Sequence, residues 1–95
     1  MRTRDGNPQH PGDMRNQIIL SLHNLEAVLS AADMGFADIT RLNVYTTDVD
    51  EAIEHFDVLA TRLGPLAASP PMTLAGVTRL AIPGLMFEIE AAAIV

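Results

Sequence analysis

The stretch ITRLNVYTTD, residues 39–48, decides the fold of this chain of 95 residues. Through most of it the side chains alternate between a mostly apolar face and a polar face, which is the period of an extended strand. The inward set comprises Leu42, Val44 and Thr46, and the outward set comprises Asn43, Tyr45 and Thr47. The pattern therefore predicts a strand over 39–47 with one face packed against other elements.

A helix is predicted before this strand, from about 14 to 33. Asp13 stands where a helix N-cap belongs, and Gly35 follows the last apolar position as a helix stop. The apolar residues between them recur at spacings of three and four, which is typical of an amphipathic helix with one buried stripe. The predicted stripe comprises Ile18, Ile19, Leu22, Leu25, Leu29 and Ala32.

A second helix is predicted directly after the strand, from about 49 to 63. Asp48 or Asp50 caps its N-terminus, and Gly64 ends it. The acidic residues near its start are explained by their favourable interaction with the helix dipole. Its predicted buried side comprises Ile53, Phe56, Leu59, Ala60 and Leu63.

Two further strands are predicted at the C-terminal end, over about 72–82 and 85–94, joined as a hairpin by the Pro-Gly turn at 83–84. The order of elements is then helix, strand, helix, strand, strand. It predicts an α+β fold, a two-layer sandwich with both helices on one face of a mainly antiparallel sheet. Residues 1–12 are interpreted as a loop or tail and 13–95 as a single domain.

The predicted last strand has an unusual outer face. Leu85, Phe87, Ile89 and Ala91 would face the helices, and the opposite face would carry Met86, Glu88, Glu90, Ala92 and Ile94. A solvated sheet face normally carries more polar residues, so two interpretations stay open. Either this is an ordinary C-terminal strand with small side chains, or its outer face is buried against another subunit. In the second case Glu88 or Glu90 lies at a partly dry interface.

Composition excludes several classes of function. Twelve acidic residues against six basic ones give a net charge of −6, which repels phosphate backbones, so nucleic acid is not an expected partner. Without cysteine there are no disulfides, zinc–thiolate sites or thiol nucleophiles. The spacing of His10, His23 and His55 is not that of a helical metal site, so no metal is expected. The sequence shows neither a signal-peptide core nor an uninterrupted spanning segment, which favours a cytoplasmic protein without membrane contact.

Four segments, in order along the chain, resemble one known family. They are PGDMRNQ at 11–17, LEAVL at 25–29, ITRLNVYTTD at 39–48 and PGLMFEIEA at 83–91. The set is similar to the opening helix, the Tyr-x-Thr-Asp strand and the terminal Glu-Ile-Glu-Ala strand of the Rid family, also called YjgF or endoribonuclease L-PSP. The resemblance implies a chorismate-mutase-like α+β fold, assembled as a homotrimer with small-molecule pockets between subunits. Relative to the family pattern, the chain lacks the leading strand hairpin.

The resemblance also implies a chemistry. Active members hydrolyse reactive enamines and imines without a cofactor or metal, and an arginine holds the substrate carboxylate in a bidentate ion pair. The glutamate that positions water in the family matches Glu88, which is therefore the candidate catalytic residue. The family arginine belongs in the segment SPPMTL, 69–74, around Met72, and the asparagine of the second helix is replaced near Phe56. The candidates for ligand binding are Arg79, Thr73 and Tyr45.

Three hypotheses of function result. The first is a divergent member that binds a small metabolite, an imino or keto acid, in clefts between subunits, with weak or absent deaminase activity because the arginine is missing. The second is an active enamine or imine deaminase of the 2-iminobutanoate/2-iminopropanoate type, in which another cation such as Arg79 anchors the substrate. The third is an endoribonuclease, which the negative charge of the chain disfavours.

Overall fold

The computed structural model describes residues 12–63 and 70–94. In chain order its elements are α1 (Met14–Ala31), a short 3₁₀ helix (Phe36–Asp38), β1 (Ile39–Thr46), α2 (Val49–Glu54), α3 (Asp57–Leu63), β2 (Met72–Gly76) and β3 (Phe87–Ala93). Apart from Gly12, the predicted N-terminal tail lies outside the described residues, and so does the predicted stop at Gly64. The assignment of 13–95 to a single domain stays a prediction.

The N-cap of α1 is the one that the sequence predicts. The carboxylate of Asp13 accepts a hydrogen bond from the backbone N–H of Asn16 at 3.1 Å, which satisfies one of the unpaired donors of the first turn. The buried stripe of the helix is narrower than predicted. Of the predicted stripe, Ile18, Leu22 and Leu29 are buried. Ile19 is 39% exposed, and Ala32 lies at the surface. The buried apolar residues of α1 are Met14, Ile18, Leu22 and Leu29.

The stop of α1 comes before Gly35, so that part of the prediction is wrong. Asp33 adopts a positive φ of 60°, and the N–H of Met34 donates to the carbonyl of Leu29 at 2.8 Å. The N–H of Asp33 donates to the carbonyl of Ser30 at 3.0 Å. This is the Schellman arrangement, with aspartate in the left-handed position that glycine usually takes. Gly35 instead has extended backbone and is the N-cap of the 3₁₀ helix.

The predicted second helix is divided into α2 and α3. Asp48 is its N-cap, because its carboxylate accepts from the N–H of Glu51 at 3.0 Å. At the break, the N–H of His55 donates to Ala52 and the N–H of Phe56 donates to Ile53, three residues back rather than four. This tighter turn changes the rotational phase of the chain. Consequently the buried set is Ala52, Val58, Leu59 and Leu63, while Ile53 and Ala60 are exposed, contrary to the prediction.

The sheet has the order β2-β1-β3 and is mixed. β2 runs parallel to β1, with Met72 opposite Leu42, and β3 runs antiparallel to it, with Glu88 opposite Tyr45. The predicted hairpin between the last two strands is therefore wrong, since they lie on opposite sides of β1. The predicted turn itself is present: the N–H of Leu85 donates to Ile82, and Gly84 has a φ of 83°.

The core lies between the helices and one face of the sheet, so the predicted α+β class with helices on one face is confirmed. Thr46 faces inward as predicted and donates its hydroxyl hydrogen bond to the carbonyl of Met86 at 2.8 Å. Met86 also packs against the core rather than lying on the outer face. The largest fully buried side chains are Phe87, Met14, Ile18, Leu22, Leu42, Gln17, Val44 and Thr46. No helix in the described part of the chain is long and apolar enough to cross a bilayer.

Candidate functional site

The sheet face turned away from the helices carries three of the four predicted site residues. Tyr45 on β1 lies opposite Glu88 on β3, and Asn43, two positions earlier, lies opposite Thr73 on β2. Residues at positions i and i+2 of a strand share a face, so Tyr45, Thr73 and Glu88 all belong to this outer face. Strand pairing therefore brings together residues that are separated along the chain.

Arg79, the fourth predicted residue, lies outside the three strands. It is exposed in the connection between β2 and β3, where it lines a groove of about 340 Å³ together with Thr47 and Met86. Thr47 directly follows β1, so this groove adjoins one end of the outer face. The sequence predicts Arg79 inside a strand over about 72–82, whereas β2 ends at Gly76 and Arg79 lies in the connection that follows.

The outer face also carries polar side chains that the sequence analysis did not select as candidates for the site. The guanidinium Nη2 of Arg41 donates to the Thr73 hydroxyl oxygen at 2.6 Å, across the β1–β2 pair. The amide Nδ2 of Asn43 donates to Oε1 of Glu90 at 3.1 Å, across the β1–β3 pair. The outward set predicted for β1 comprised Asn43, Tyr45 and Thr47 and left out Arg41, although Arg41 lies two positions before Asn43 on the same face. What the sequence did not contain was the cross-strand register that gives Arg41 its partner.

Met72 occupies the segment in which the resemblance places an arginine, and it lies on the other face of the sheet. Because it is paired with the inward-facing Leu42, its side chain points to the helix side, where it is 41% exposed. There Met72 and Phe56 line one groove of about 440 Å³. Two positions that depart from the family pattern therefore line the same groove.

The lining of this groove, called the α3 groove below, is almost entirely apolar. Helix α3 forms one wall and the start of β2 the other. Its described lining residues are Leu42, Phe56, Asp57, Leu59, Ala60, Leu63, Pro70 and Met72. Asp57 is the single charged residue among them. The groove is thus able to hold a hydrocarbon group, and its described lining contains no cation that could pair with an anion.

The carboxylate of Asp57 is already paired. Nη1 and Nη2 of Arg15 donate to its two oxygens at 2.9 Å and 2.8 Å, a bidentate ion pair between α1 and α3. These hydrogen bonds from Arg15 hold the pKa of the Asp57 carboxyl below its usual range, and the same contact raises the pKa of Arg15. Arg15 is therefore engaged outside the groove rather than directed into it.

Glu88 lies at the margin of a different groove, of about 260 Å³. This groove runs between α1 and β3, where Asn24, Leu25 and Val28 form the opposite wall. Among residues 12–63 and 70–94, β3 pairs with β1 alone. The strand pairing implies that the Cα atoms of Glu88 and Met72 are about 14 Å apart, with β1 between them. The two side chains point to opposite faces of the sheet. One chain cannot bring both to the same small ligand.

The structure gives no sign of a metal centre in the ranges that it describes. No group of three or more histidine, aspartate or glutamate side chains there is arranged to hold an ion. His23 lies on the exposed side of α1, and His55 is the C-cap of α2. The acidic residues that begin α2 include Asp48, whose carboxylate is occupied by the capping hydrogen bond.

Comparison with known proteins identifies related chains. The family model described as endoribonuclease L-PSP matches residues 1–95. The RutC family protein YjgH of Escherichia coli is 34% identical over 86 residues, which are 90% of this chain and 63% of that protein. This chain therefore spans less than two thirds of the length of that relative.

Solved structures agree with this comparison. Rv2704 of Mycobacterium tuberculosis, described as a member of the YjgF/YER057c/UK114 family, matches with a TM-score of 0.73 and 33% identity, over 90% of this chain and 67% of that one. Escherichia coli TdcF with bound serine matches with a TM-score of 0.79 and 30% identity, over 88% of this chain and 66% of that one. The chain belongs to the endoribonuclease L-PSP family, the Rid or YjgF family that its sequence motifs resemble.

Proposed function

We propose that this protein is a divergent Rid-family member that binds a small metabolite in clefts between subunits of a homotrimer, with little or no deaminase activity. The observation that carries the proposal is the position of Met72. It stands in the arginine segment of the family pattern, and it lines an apolar groove instead of presenting a cation. An imino acid bound there would lack the arginine that, in active family members, holds the substrate carboxylate through two hydrogen bonds.

The geometry of a single chain supports a site between subunits. Glu88 and Met72 lie on opposite faces of the sheet, so a ligand that contacts Met72 of one copy can contact Glu88 only of another copy. The exposed Ala92 on the outer side of β3 and the exposed Ile94 directly after that strand offer apolar surface for such an assembly.

A relative supports the binding of small molecules. TdcF has been crystallised with serine bound, which is a compact polar amino acid. The α3 groove, with a volume of about 440 Å³, is of the size that small ligands occupy, since pockets of about 300–1,000 Å³ are typical. In our proposal this chain binds a small ligand, as TdcF does, but in a groove of different chemistry.

A direct assay tests the absence of deaminase activity. A pyridoxal-phosphate dehydratase supplies 2-aminoacrylate, and the loss of its ultraviolet absorbance is followed with and without this protein. We expect a rate close to that of the uncatalysed hydrolysis. Glu88→Gln serves as the matched variant, because it keeps the size of the side chain and removes the carboxylate. A rate well above background that Glu88→Gln abolishes would contradict the proposal and support an active deaminase.

That active deaminase is the second candidate, and Arg41 is the observation in its favour. Its guanidinium lies on the same face as Tyr45 and Glu88 and makes no ion pair within the described residues. Within residues 12–63 and 70–94, Arg79 is the other arginine that makes no ion pair. In the assay above, loss of turnover in Arg41→Gln or in Arg79→Gln would identify the anchor. An endoribonuclease is the weakest candidate, because the net charge of −6 opposes RNA binding.

A further inference from the structure

We infer that the α3 groove selects an uncharged, mainly apolar molecule, such as an aliphatic or aromatic ketone, over a carboxylic acid of the same carbon skeleton. The inference rests on the proposed function, because it assigns a ligand class to the cleft proposed above. It reverses the preference that an arginine at the position of Met72 would give.

The first step is the chemistry of the walls. Leu42 and Leu59 are almost fully buried, whereas Phe56 is partly buried and Met72 is exposed. Aliphatic and aromatic carbon therefore faces the ligand, and burial of apolar ligand surface is the main source of binding free energy there. Methionine is flexible and adapts to ligands of different shape.

The second step is the charge balance. Among the described lining residues there is no lysine, arginine or histidine, so a carboxylate entering the groove would lose its water without gaining a partner. Asp57 at the rim adds a negative charge, although Arg15 neutralises it from the α1 side. An uncharged carbonyl group has a much smaller desolvation cost than a carboxylate.

The third step is size. A cavity of about 440 Å³ accommodates a molecule larger than a three-carbon imino acid, and an aromatic ring would contact Phe56 favourably. The pair benzyl methyl ketone and phenylpyruvate is suitable as a probe. The two compounds share one skeleton and differ in whether a methyl group or a carboxylate follows the carbonyl carbon.

The experiment measures the binding of both probes by methyl NMR, with signals from Met72 and Leu59 as reporters of the groove. We expect the ketone to shift these signals and to bind about tenfold or more tightly than phenylpyruvate, a difference that titration resolves easily. Met72→Arg introduces a guanidinium and should reverse the order. Met72→Leu, which keeps an apolar side chain of similar volume, should preserve it.

A second variant protects the test against misfolding of Met72→Arg. Ala60→Arg adds a cation at an exposed position on the rim, and it should also raise the affinity for phenylpyruvate. Tighter binding of phenylpyruvate than of the ketone by the unmodified protein would overturn this inference and leave the proposed small-molecule function intact. If neither probe shifts the groove signals, while the unmodified protein gives a folded spectrum, the proposed binding function fails as well.

Discussion

The side-chain amide of Gln17 makes hydrogen bonds in both directions with the segment that leads into β3. Its Oε1 accepts from the backbone N–H of Met86 at 2.8 Å, and its Nε2 donates to the carbonyl of Gly84 at 3.0 Å. Gln17 is fully buried on α1, so this polar group is held inside the core only because both of its ends are paired. It fixes the position at which β3 enters the sheet.

Replacing Gln17 with leucine should destabilise the protein by about 1–3 kcal/mol, because the N–H of Met86 and the carbonyl of Gly84 lose their partner. For a domain of this size each kcal/mol lowers the melting temperature by roughly 4–8 °C. Calorimetry provides the measurement, and amide exchange at Met86 should accelerate. His23→Leu, on the exposed side of the same helix, is the control and should change little. Equal melting temperatures for the two variants would contradict the assigned role of Gln17.

Light scattering after size exclusion should report a particle of three times the 10.2 kDa chain mass. If the outer face of β3 is buried in that assembly, Ala92→Arg should dissociate it, because a guanidinium cannot be accommodated in a packed apolar interface without a partner. Ala27→Arg, at an exposed position on α1, is the matched control and should leave the particle mass unchanged. A clean monomer at micromolar concentration in the unmodified protein would refute the trimer.

The Arg15–Asp57 ion pair should make stability depend on acidity. The pKa of Asp57 is lowered in the folded state by its hydrogen bonds to Arg15, so its contribution is present above the unfolded-state pKa. That contribution is lost as the pH falls through the folded-state pKa. Asp57→Asn should therefore lower the melting temperature slightly at neutral pH, and the difference should vanish in strong acid. The effect is small because both side chains are about half exposed.

Arg15→Gln should produce the same loss as Asp57→Asn, and the double variant should add nothing further. Glu54→Gln, which removes an exposed carboxylate without an ion pair in the described part of the chain, serves as the control. A melting-temperature difference for Asp57→Asn that stays constant from neutral to strongly acidic pH would show that the pair does not act through charge.

The left-handed backbone of Asp33 predicts opposite effects for two substitutions at that site. Asp33→Gly should maintain or raise the melting temperature, since glycine adopts a φ of 60° without a steric penalty. Asp33→Val should lower the stability by about 1–2 kcal/mol, because a β-branched residue is strained there. Ala31→Gly, in the last turn of α1, is the control for glycine inside the helix and should destabilise. Denaturant titration checks all three, and a stabilising Asp33→Val would refute the assigned helix stop.

Local patterns were sufficient for much of the fold. The period of two in 39–46 identified β1 and its inward face, and the spacing of Ile18, Leu22 and Leu29 identified α1 with its cap at Asp13. These features depend on neighbouring residues only, because a side chain's direction follows from the geometry of its own strand or helix. Even the turn at Pro83-Gly84 is local, since it requires only residues that tolerate its backbone angles.

The sequence by itself determined the α+β class, the positions of α1 and β1, and the two faces of β1. Tertiary structure alone decided that β2 and β3 pair with opposite edges of β1. It thereby brought Met72 and Phe56 to the same groove and Arg41 within hydrogen-bond distance of Thr73. The physical reason is that strand pairing and groove formation depend on the path of the chain through space, in which residues far apart in sequence compete for the same edge or face. The spacing of apolar residues along one segment does not specify which strand pairs with which edge. The residues that line the α3 groove are therefore brought together only when the sheet is assembled.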